Sequence, residues 1–240
     1  MRIPVIKGVI DRRILVNYRI NPEVLANILP PPFEPDLING FGMAGVCLIR
    51  LNAIRPRFLP PQVGFSSENA AHRIAARWKE NGRYRQGVYI PRRDTSSRLS
   101  TLAGGRLFPG LHHRARFEVK ESGSNFQIVL DSQDGNLHLA VAAHLATGLP
   151  QTSLFGSLAE ASNFFEAGSL GYSDTRQAGC FDGLELRTSN WQVEPLAIDR
   201  VESSFFDNRE LFPPGSIQFD CALLMRGIAH EWHGRAALRA

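Results

Sequence analysis

Alternating apolar and polar residues predict β-strands along most of the chain. Between residues 14 and 19, Ile14, Val16 and Tyr18 form an apolar face at a period of two, as in a half-buried strand. Similar patterns and short apolar runs predict further strands at 37–54, 116–120, 126–130, 137–145, 184–188, 196–206 and 216–228. Asp134-Gly135 predicts a hairpin turn between two of them.

Capping residues predict two short helices. Asn21 is a good N-cap and is followed by Pro22, which fits the first position of a helix. Ser157 and Glu160 form a capping box that opens a second helix through residue 165. Because strands outnumber helices and the helices are short, the sequence predicts an α+β domain that is mainly β and forms a closed or half-closed barrel.

The segment 68–78 gives two conflicting signals. Its apolar residues recur at helical spacing: Ala71, Ile74, Ala75 and Trp78. This period alone predicts a helix. The segments on both sides look extended, so a strand stays open as the alternative.

Composition excludes several classes of protein. The 240 residues are 43% hydrophobic and 21% charged, which is typical of a globular chain, and we predict one domain over residues 1–240. Three distant cysteines build no disulfide framework. No apolar run reaches the ~18 residues of a membrane helix, and no signal peptide is recognisable. We therefore expect a cytoplasmic protein without a membrane partner.

The basic residues do not predict nucleic-acid binding. Lysine and arginine total 27, of which only Lys7, Lys79 and Lys120 are lysines. The arginines are scattered, with pairs at 12–13 and 92–93 and no long basic run, so we expect no nucleic-acid partner. The shortage of lysine leaves few candidates for a Schiff-base amine.

Residues 104–114 carry the densest candidate chemistry. The segment combines glycines with Arg106, His112, His113 and Arg114, a set that suits carboxylate binding beside a titrating group. A helix end, a proline turn and a basic surface explain the same residues equally well. Glu68 is similarly open: it is either a general acid or base, or a surface carboxylate paired with a nearby arginine, Arg73.

Other histidines give weaker signals. His230 and His233 have a spacing that would suit a metal on a helix, but in a strand they would face opposite ways. His138 and His144 share the parity of an apolar strand, which favours histidines in the core or lining a barrel over metal ligands. We predict no metal and no cofactor.

Motifs along nearly the whole chain resemble one known superfamily. They are L-V-x-Y-R at 15–19, N-P-E-x-L-x-x-x-L-P at 21–30, a glycine-punctuated strand at 40–51, Glu68-Asn69, G-V-Y-I-P-R-R-D-T at 87–95, Gly105-Arg106, S-L-F at 153–155, F-F at 164–165, G-S-L-G-Y-S at 168–173 and a strand at 219–231. Together they resemble the acetoacetate decarboxylase-like superfamily, in its uncharacterised YqjF-like branch. The resemblance implies a conical β-barrel with an outer sheet layer, a strand at 68–78, and a cavity for a small acidic or keto compound.

The chain departs from that superfamily at the catalytic lysine. Acetoacetate decarboxylases carry a G-R-E segment followed by P-K-K, and the two lysine places fall here on His113 and Arg114. An imidazole does not form the iminium electron sink that a desolvated amine does, which argues against amine-catalysed decarboxylation. Glu68 falls where the superfamily has a cavity glutamate. Arg12 or Arg13 lies near its N-terminal cavity arginine, although the match is shifted and Asp11 takes the aligned place.

We therefore expect a barrel that binds a small carboxylate or keto compound. In an enzymatic version, a lyase or hydratase without a Schiff base, Arg13, Arg106 and Arg114 bind the substrate. His113 or Glu68 then moves a proton. The alternative is a non-catalytic barrel that binds or senses a small ligand. Phenylalanines at 164–165 and 205–206 leave a homo-oligomer open beside plain core packing.

Overall fold

Strands dominate the architecture. The computed structural model describes residues 4–103 and 110–240, except for the side chains of residues 100, 102 and 103. The strands are β1 (Ile6–Ile20), β2 (Glu34–Pro35), β3 (Leu37–Ile38), β4 (Phe41–Pro56), β5 (Phe65–Glu80), β6 (Arg83–Thr95), β7 (His113–Ser122), β8 (Asn125–Ser132), β9 (His138–Leu145), β10 (Leu170–Asp174), β11 (Cys180–Thr188), β12 (Glu194–Ser203) and β13 (Ile217–Arg239). The helices are α1 (Pro22–Ile28), α2 (Arg98–Ala103) and α3 (Leu158–Ala167). The predicted class, mainly β with a few short helices, is confirmed.

The sheet closes in a ring. Nine strands follow one another around it in the order β6, β7, β8, β9, β12, β13, β1, β4 and β5, and β5 pairs again with β6. A second arc leaves this ring at β6, runs through β10 and β11, and rejoins it at the C-terminal half of β13. The arc lies over one wall of the ring, where the resemblance implied an outer sheet layer.

The wall formed by β1, β4 and β5 is buried on both faces. Ile14, Ile74 and Trp78 point to the inside of the ring and belong to the larger hydrophobic cluster. Leu15 and Ile49 point outward into a second cluster, which α3 and the arc cover. Successive residues of a strand point to opposite faces, so each of these strands serves two cores.

This double burial explains the conflicting signals of residues 68–78. The segment lies within the strand β5, as the resemblance implied, and the helix indicated by its period is wrong. Ile74 and Trp78 occupy the inner cluster while Ala75 occupies the outer one. Because both faces are apolar, alternation disappears and the remaining apolar residues mimic helical spacing.

Two sets of side chains lie elsewhere than expected. His138 and His144 do not line a core: both are largely exposed and are paired with Asp131 and Asp199. The phenylalanines at 164–165 and 205–206 pack into or against the two hydrophobic clusters. Core packing therefore explains these phenylalanines, and they give no support to a homo-oligomer. The homo-oligomer stays a prediction.

No helix in residues 4–103 and 110–240 has the length and hydropathy needed to cross a membrane. The cytoplasmic location and the single domain over residues 1–240 stay predictions.

The helix α3 has the predicted cap. The Ser157 hydroxyl accepts a hydrogen bond from the Glu160 backbone N–H at 3.1 Å. We expect Ser157→Ala to lower the free energy of unfolding by about 1 kcal/mol, because one backbone donor of the first turn loses its partner. Urea denaturation measures the change. Ser157→Asn, which keeps a capping acceptor, should retain most of the stability, and equal losses in both variants would contradict the role of the cap.

Candidate functional site

The strand register separates the residues that the sequence singled out. In the ring, Arg12 on β1 pairs in register with Arg50 on β4, which pairs with Glu68 on β5. All three side chains point inward. The adjacent row of cross-strand partners points outward and consists of Arg13, Ile49, Asn69, Thr95 and Arg114. His113 lies in the same row of cross-strand partners as Ala70, which faces inward. Two groups result: Glu68 and His113 on the inner face, Arg13 and Arg114 on the outer face. Arg106 lies outside the described residues.

Glu68 belongs to an ion-pair network at the inner rim of the ring. Its two carboxylate oxygens accept hydrogen bonds at 2.6 Å from Arg12 Nη2 and Arg50 Nε. Glu121 pairs with the same two arginines. The partner weighed from the sequence, Arg73, points to the opposite face of β5. The roles predicted for Glu68 in proton transfer stay predictions, and its carboxylate is already bound by two guanidinium groups.

His113 also has a carboxylate neighbour. Its Nδ1 lies 2.9 Å from Asp134 Oδ2, at the start of β7. Burial alone would raise the pKa of Asp134, but hydrogen bonds from the Asn136 backbone, Ser132 and Arg92 hold it well below its usual range. Asp134 is therefore a carboxylate at neutral pH. A proton-transfer role for His113 stays a prediction.

Arg13 faces a cavity under the arc. The cavity has a volume of about 90 Å³ and is lined mainly by β4, β5, β6 and β11, with Trp232 from β13. We call it the arginine cavity, because Arg13, Arg73 and Arg93 all line it. Taking ~30 Å³ per water molecule in the liquid, its volume corresponds to about three waters or a small organic acid.

Arg13 makes contacts with neutral groups. Its Nε donates a hydrogen bond to Cys47 Sγ at 3.2 Å, and its Nη1 lies 3.8 Å from Met225 Sδ. The guanidinium carbon stands 5.5 Å from the centroid of a Trp191 ring. These partners position the side chain without balancing its charge.

Arg73 and Arg93 are likewise held by neutral partners. Arg73 Nη2 donates to Asn17 Oδ1 at 2.5 Å, across Gly45, and Arg93 Nε donates to Ser173 Oγ at 2.9 Å. Burial is the main cause that lowers the pKa of each to about 10, and the charge of Arg13 contributes to the lowering at Arg73. Both guanidinium groups stay charged at neutral pH.

Two small residues, Gly45 and Ala71, lie beside these arginines. Gly45 sits between Asn17 and Arg73, and a Cβ built there would come within 2.2 Å of the Val16 carbonyl oxygen. Gly45 therefore permits the close approach of β1 and β4 next to the Asn17–Arg73 hydrogen bond. Ala71 stands between Cys47 and Arg93 in the pairing of β4, β5 and β6.

The outer face carries an excess of positive charge. Arg114 lies on it with Arg13, and its Nη1 is buried without a hydrogen-bond partner. Within the described residues, no Asp or Glu forms an ion pair with Arg13, Arg73, Arg93 or Arg114. An uncompensated buried charge is costly. This arrangement suits an anionic ligand.

A second cavity adjoins the arginine cavity. It has a volume of about 60 Å³, shares Arg93 and Trp232 with its neighbour, and adds Asn69 and His112. Burial, followed by the charge of Arg93, lowers the pKa of His112 to about 3, so its imidazole is neutral at pH 7. A bound anion beside His112 would raise this pKa and favour proton uptake.

No metal centre is visible in the part of the chain that the structure describes: it contains no group of three or more His, Cys, Asp and Glu placed to bind an ion.

Sequence reasoning missed Arg73 and Arg93. Both lie in segments that it examined for other reasons, near Glu68 and in the motif at 87–95. The sequence signal that could have identified them is an arginine in a strand next to small residues such as Ala71 and Ala75. It gained meaning only once the structure showed that no carboxylate of residues 4–103 and 110–240 forms an ion pair with them.

Solved structures with the same fold define the class. The chain is similar to an acetoacetate decarboxylase-like enzyme from Sphingomonas wittichii RW1, with a TM-score of 0.58, 12% identity, and coverage of 100% of this chain and 93% of that one. Acetoacetate decarboxylase from Legionella pneumophila matches with a TM-score of 0.61, 12% identity, and coverage of 97% and 86%. The enduracididine biosynthesis enzyme MppR, complexed with pyruvate, matches with a TM-score of 0.55, 11% identity, and coverage of 98% and 90%. The fold is that of the acetoacetate decarboxylase-like proteins.

Within that class, residues 10–224 match the model of the DUF2071 family, described as an uncharacterized conserved protein. The chain belongs to this family. None of the curated proteins matches it. A family of unknown function and the acetoacetate decarboxylase-like fold that the resemblance implied are confirmed.

Proposed function

We propose that the chain binds a small carboxylate, such as a 2-oxo acid, in the arginine cavity. The observation that carries the proposal is the set of guanidinium groups of Arg13, Arg73 and Arg93, which line one cavity with neutral partners. A carboxylate accepts bidentate hydrogen bonds from arginine and supplies the missing negative charge.

The size of the cavity and one structural neighbour support a small acid. A volume of about 90 Å³ suits a molecule of a few heavy atoms. The neighbour MppR is complexed with pyruvate. Apolar wall residues, such as Ile49 and Leu186, would pack against the short carbon chain of such a ligand.

A catalytic version of this function would be of the lyase type. Guanidinium groups beside a bound 2-oxo acid would stabilise an enolate, and neutral His112 in the adjoining cavity is placed to move a proton. None of the three lysines lines either cavity, so the proposal contains no Schiff base. Ligand binding without turnover remains the alternative function.

Thermal unfolding with pyruvate tests the binding function. Pyruvate at ~100 times its dissociation constant should add about 2.7 kcal/mol to the free energy of unfolding. That corresponds to an increase in Tm of roughly 5–10 °C for a chain of this length. The increase should be lost in Arg93→Gln, because this variant removes one cavity guanidinium.

Arg200→Gln is the matched control, because Arg200 is 65% exposed on β12 and pairs with Glu202. It should respond to pyruvate as the wild type does. No increase in the wild type with pyruvate, oxaloacetate or acetoacetate, or equal increases in both variants, would contradict the proposed site. Measurement of product formation from each acid then separates an enzyme from a binding protein.

A further inference from the structure

Cys47 lies among the arginines of the cavity. Its Sγ accepts the hydrogen bond from Arg13 Nε at 3.2 Å. The thiol lines the same cavity as Arg73 and Arg93. Cationic neighbours are the surroundings in which cysteine reacts as a nucleophile.

The other two cysteines lie outside the lining of the arginine cavity. Cys221 is fully buried, and burial followed by the charge of Asp220 raises its pKa to about 12, so it stays a neutral thiol. Cys180 begins β11 and is absent from the lining of the arginine cavity. The chain thus contains two internal references for the reactivity of Cys47.

A second feature of the cavity points to a ligand beside the sulfur. Arg73 is only 8% exposed, and its buried Nε has no hydrogen-bond partner among the described residues. The guanidinium groups of Arg13 and Arg93 have no carboxylate partner there either. An anion that satisfies these groups would lie next to Cys47 Sγ.

We propose that Cys47 captures a 2-oxo acid covalently and reversibly. This proposal rests on the proposed function, since the arginines must first bind the carboxylate. Sγ attacks the neighbouring carbonyl carbon, a carbon–sulfur bond forms, and the carbonyl π electrons move to oxygen. That oxygen takes up the thiol proton, which gives a neutral thiohemiketal without any oxidant, reductant or cofactor.

The cavity favours each part of this step. The carboxylate contacts orient the ligand, which removes much of the entropic cost of bringing carbon and sulfur together. Guanidinium donors stabilise the negative oxygen that forms during attack. Cysteine therefore supplies a nucleophile in a site where no lysine is present.

Alkylation by iodoacetate tests whether an anion reaches the sulfur. Iodoacetate carries a carboxylate, whereas iodoacetamide is neutral. We expect the ratio of iodoacetate to iodoacetamide rates, followed by peptide mass spectrometry, to be about tenfold higher at Cys47 than at Cys180, because the arginines concentrate anions locally. Pyruvate should protect Cys47 alone, and Arg73→Gln should reduce the ratio. Equal ratios at the two cysteines would overturn the proposal.

Carbon-13 NMR with [2-13C]pyruvate tests the covalent bond. We expect a tetrahedral carbon resonance, distinct from that of pyruvate hydrate, in the wild type and in Cys180→Ser. It should be absent in Cys47→Ala. If pyruvate raises the Tm in an arginine-dependent way but gives no such resonance, covalent capture fails and the binding function stands. If pyruvate neither raises the Tm nor gives the resonance, both fail.

Discussion

Lowering the pH from 7.5 to 5 should reduce the free energy of unfolding by about 4 kcal/mol through His72 and His230 alone, because both stay uncharged in the folded chain. Burial, followed by the charge of Arg92, lowers the pKa of His72 to about 3. Burial, followed by the charge of Arg13, lowers that of His230 to about 4. Both side chains are buried, His72 against the rings of Phe205 and Phe206.

The direction in which stability changes with pH follows from proton uptake by the unfolded chain. The unfolded chain protonates each histidine near pH 6.5, whereas the folded chain does so only near pH 3 to 4. Below pH 6.5 the unfolded state therefore binds more protons, and the loss is about 1.4 kcal/mol per pH unit for each histidine. The stability contributed by the neutral histidines is complete above pH 6.5.

His72→Phe separates this effect from the general acid response. Phenylalanine keeps an aromatic ring beside Phe205 but cannot be protonated, so we expect the slope of stability against pH to fall by about 1.4 kcal/mol per unit between pH 6 and 4. Urea denaturation at several pH values measures the slope. His138→Gln is the control, because His138 is exposed beside Asp131. A wild-type slope in His72→Phe would mean that folded His72 is protonated like a solvent-exposed imidazole.

Replacing Arg73 by methionine should stabilise the unliganded protein and abolish its response to pyruvate. Keeping Arg73 charged where its pKa is about 10 instead of 12.5 costs about 3 kcal/mol. Methionine removes this cost but leaves Asn17 Oδ1 without its donor, which costs about 1–2 kcal/mol. The expected net gain is therefore about 1–2 kcal/mol in the absence of ligand.

The two halves of this prediction are measured on one sample. Thermal unfolding without pyruvate should show a higher Tm than the wild type, and saturating pyruvate should add nothing where the wild type gains about 2.7 kcal/mol. Arg200→Met tests the effect of deleting an exposed arginine and should leave both values near those of the wild type. A destabilised Arg73→Met that still responds to pyruvate would show that Arg73 has a structural role only.

Local features of the fold were predictable because they depend on residues close in sequence. The cap of Ser157 on α3 and the turn at Asp134-Gly135 each need only a few neighbouring residues. Strand alternation likewise depends on nearby positions. It is lost where both faces of a strand are buried, as in β5.

The candidate site was predictable only in part, because it depends on register. Arg13 and Arg114 were singled out, and both face outward from the ring. The partners of Glu68, however, are Arg12 and Arg50, which lie 56 and 18 positions away in the chain. Sequence proximity favoured Arg73 instead, but five positions along a strand place two side chains on opposite faces. Among the described residues, no carboxylate pairs with Arg73. This depends on which strands lie next to β5, and no pattern in the nearby sequence indicates it.

The division of neighbouring arginines between the two faces also bears on the molecule's outer electric field. At 12–13 and at 92–93, one arginine points inward to acidic partners and the other points to the cavity side. Of the 27 lysine and arginine side chains, Arg13, Arg73 and Arg93 line the cavity beneath the arc. These positive charges face the cavity instead of the exterior, so they add little to the attraction of the outer surface for polyanions such as nucleic acids.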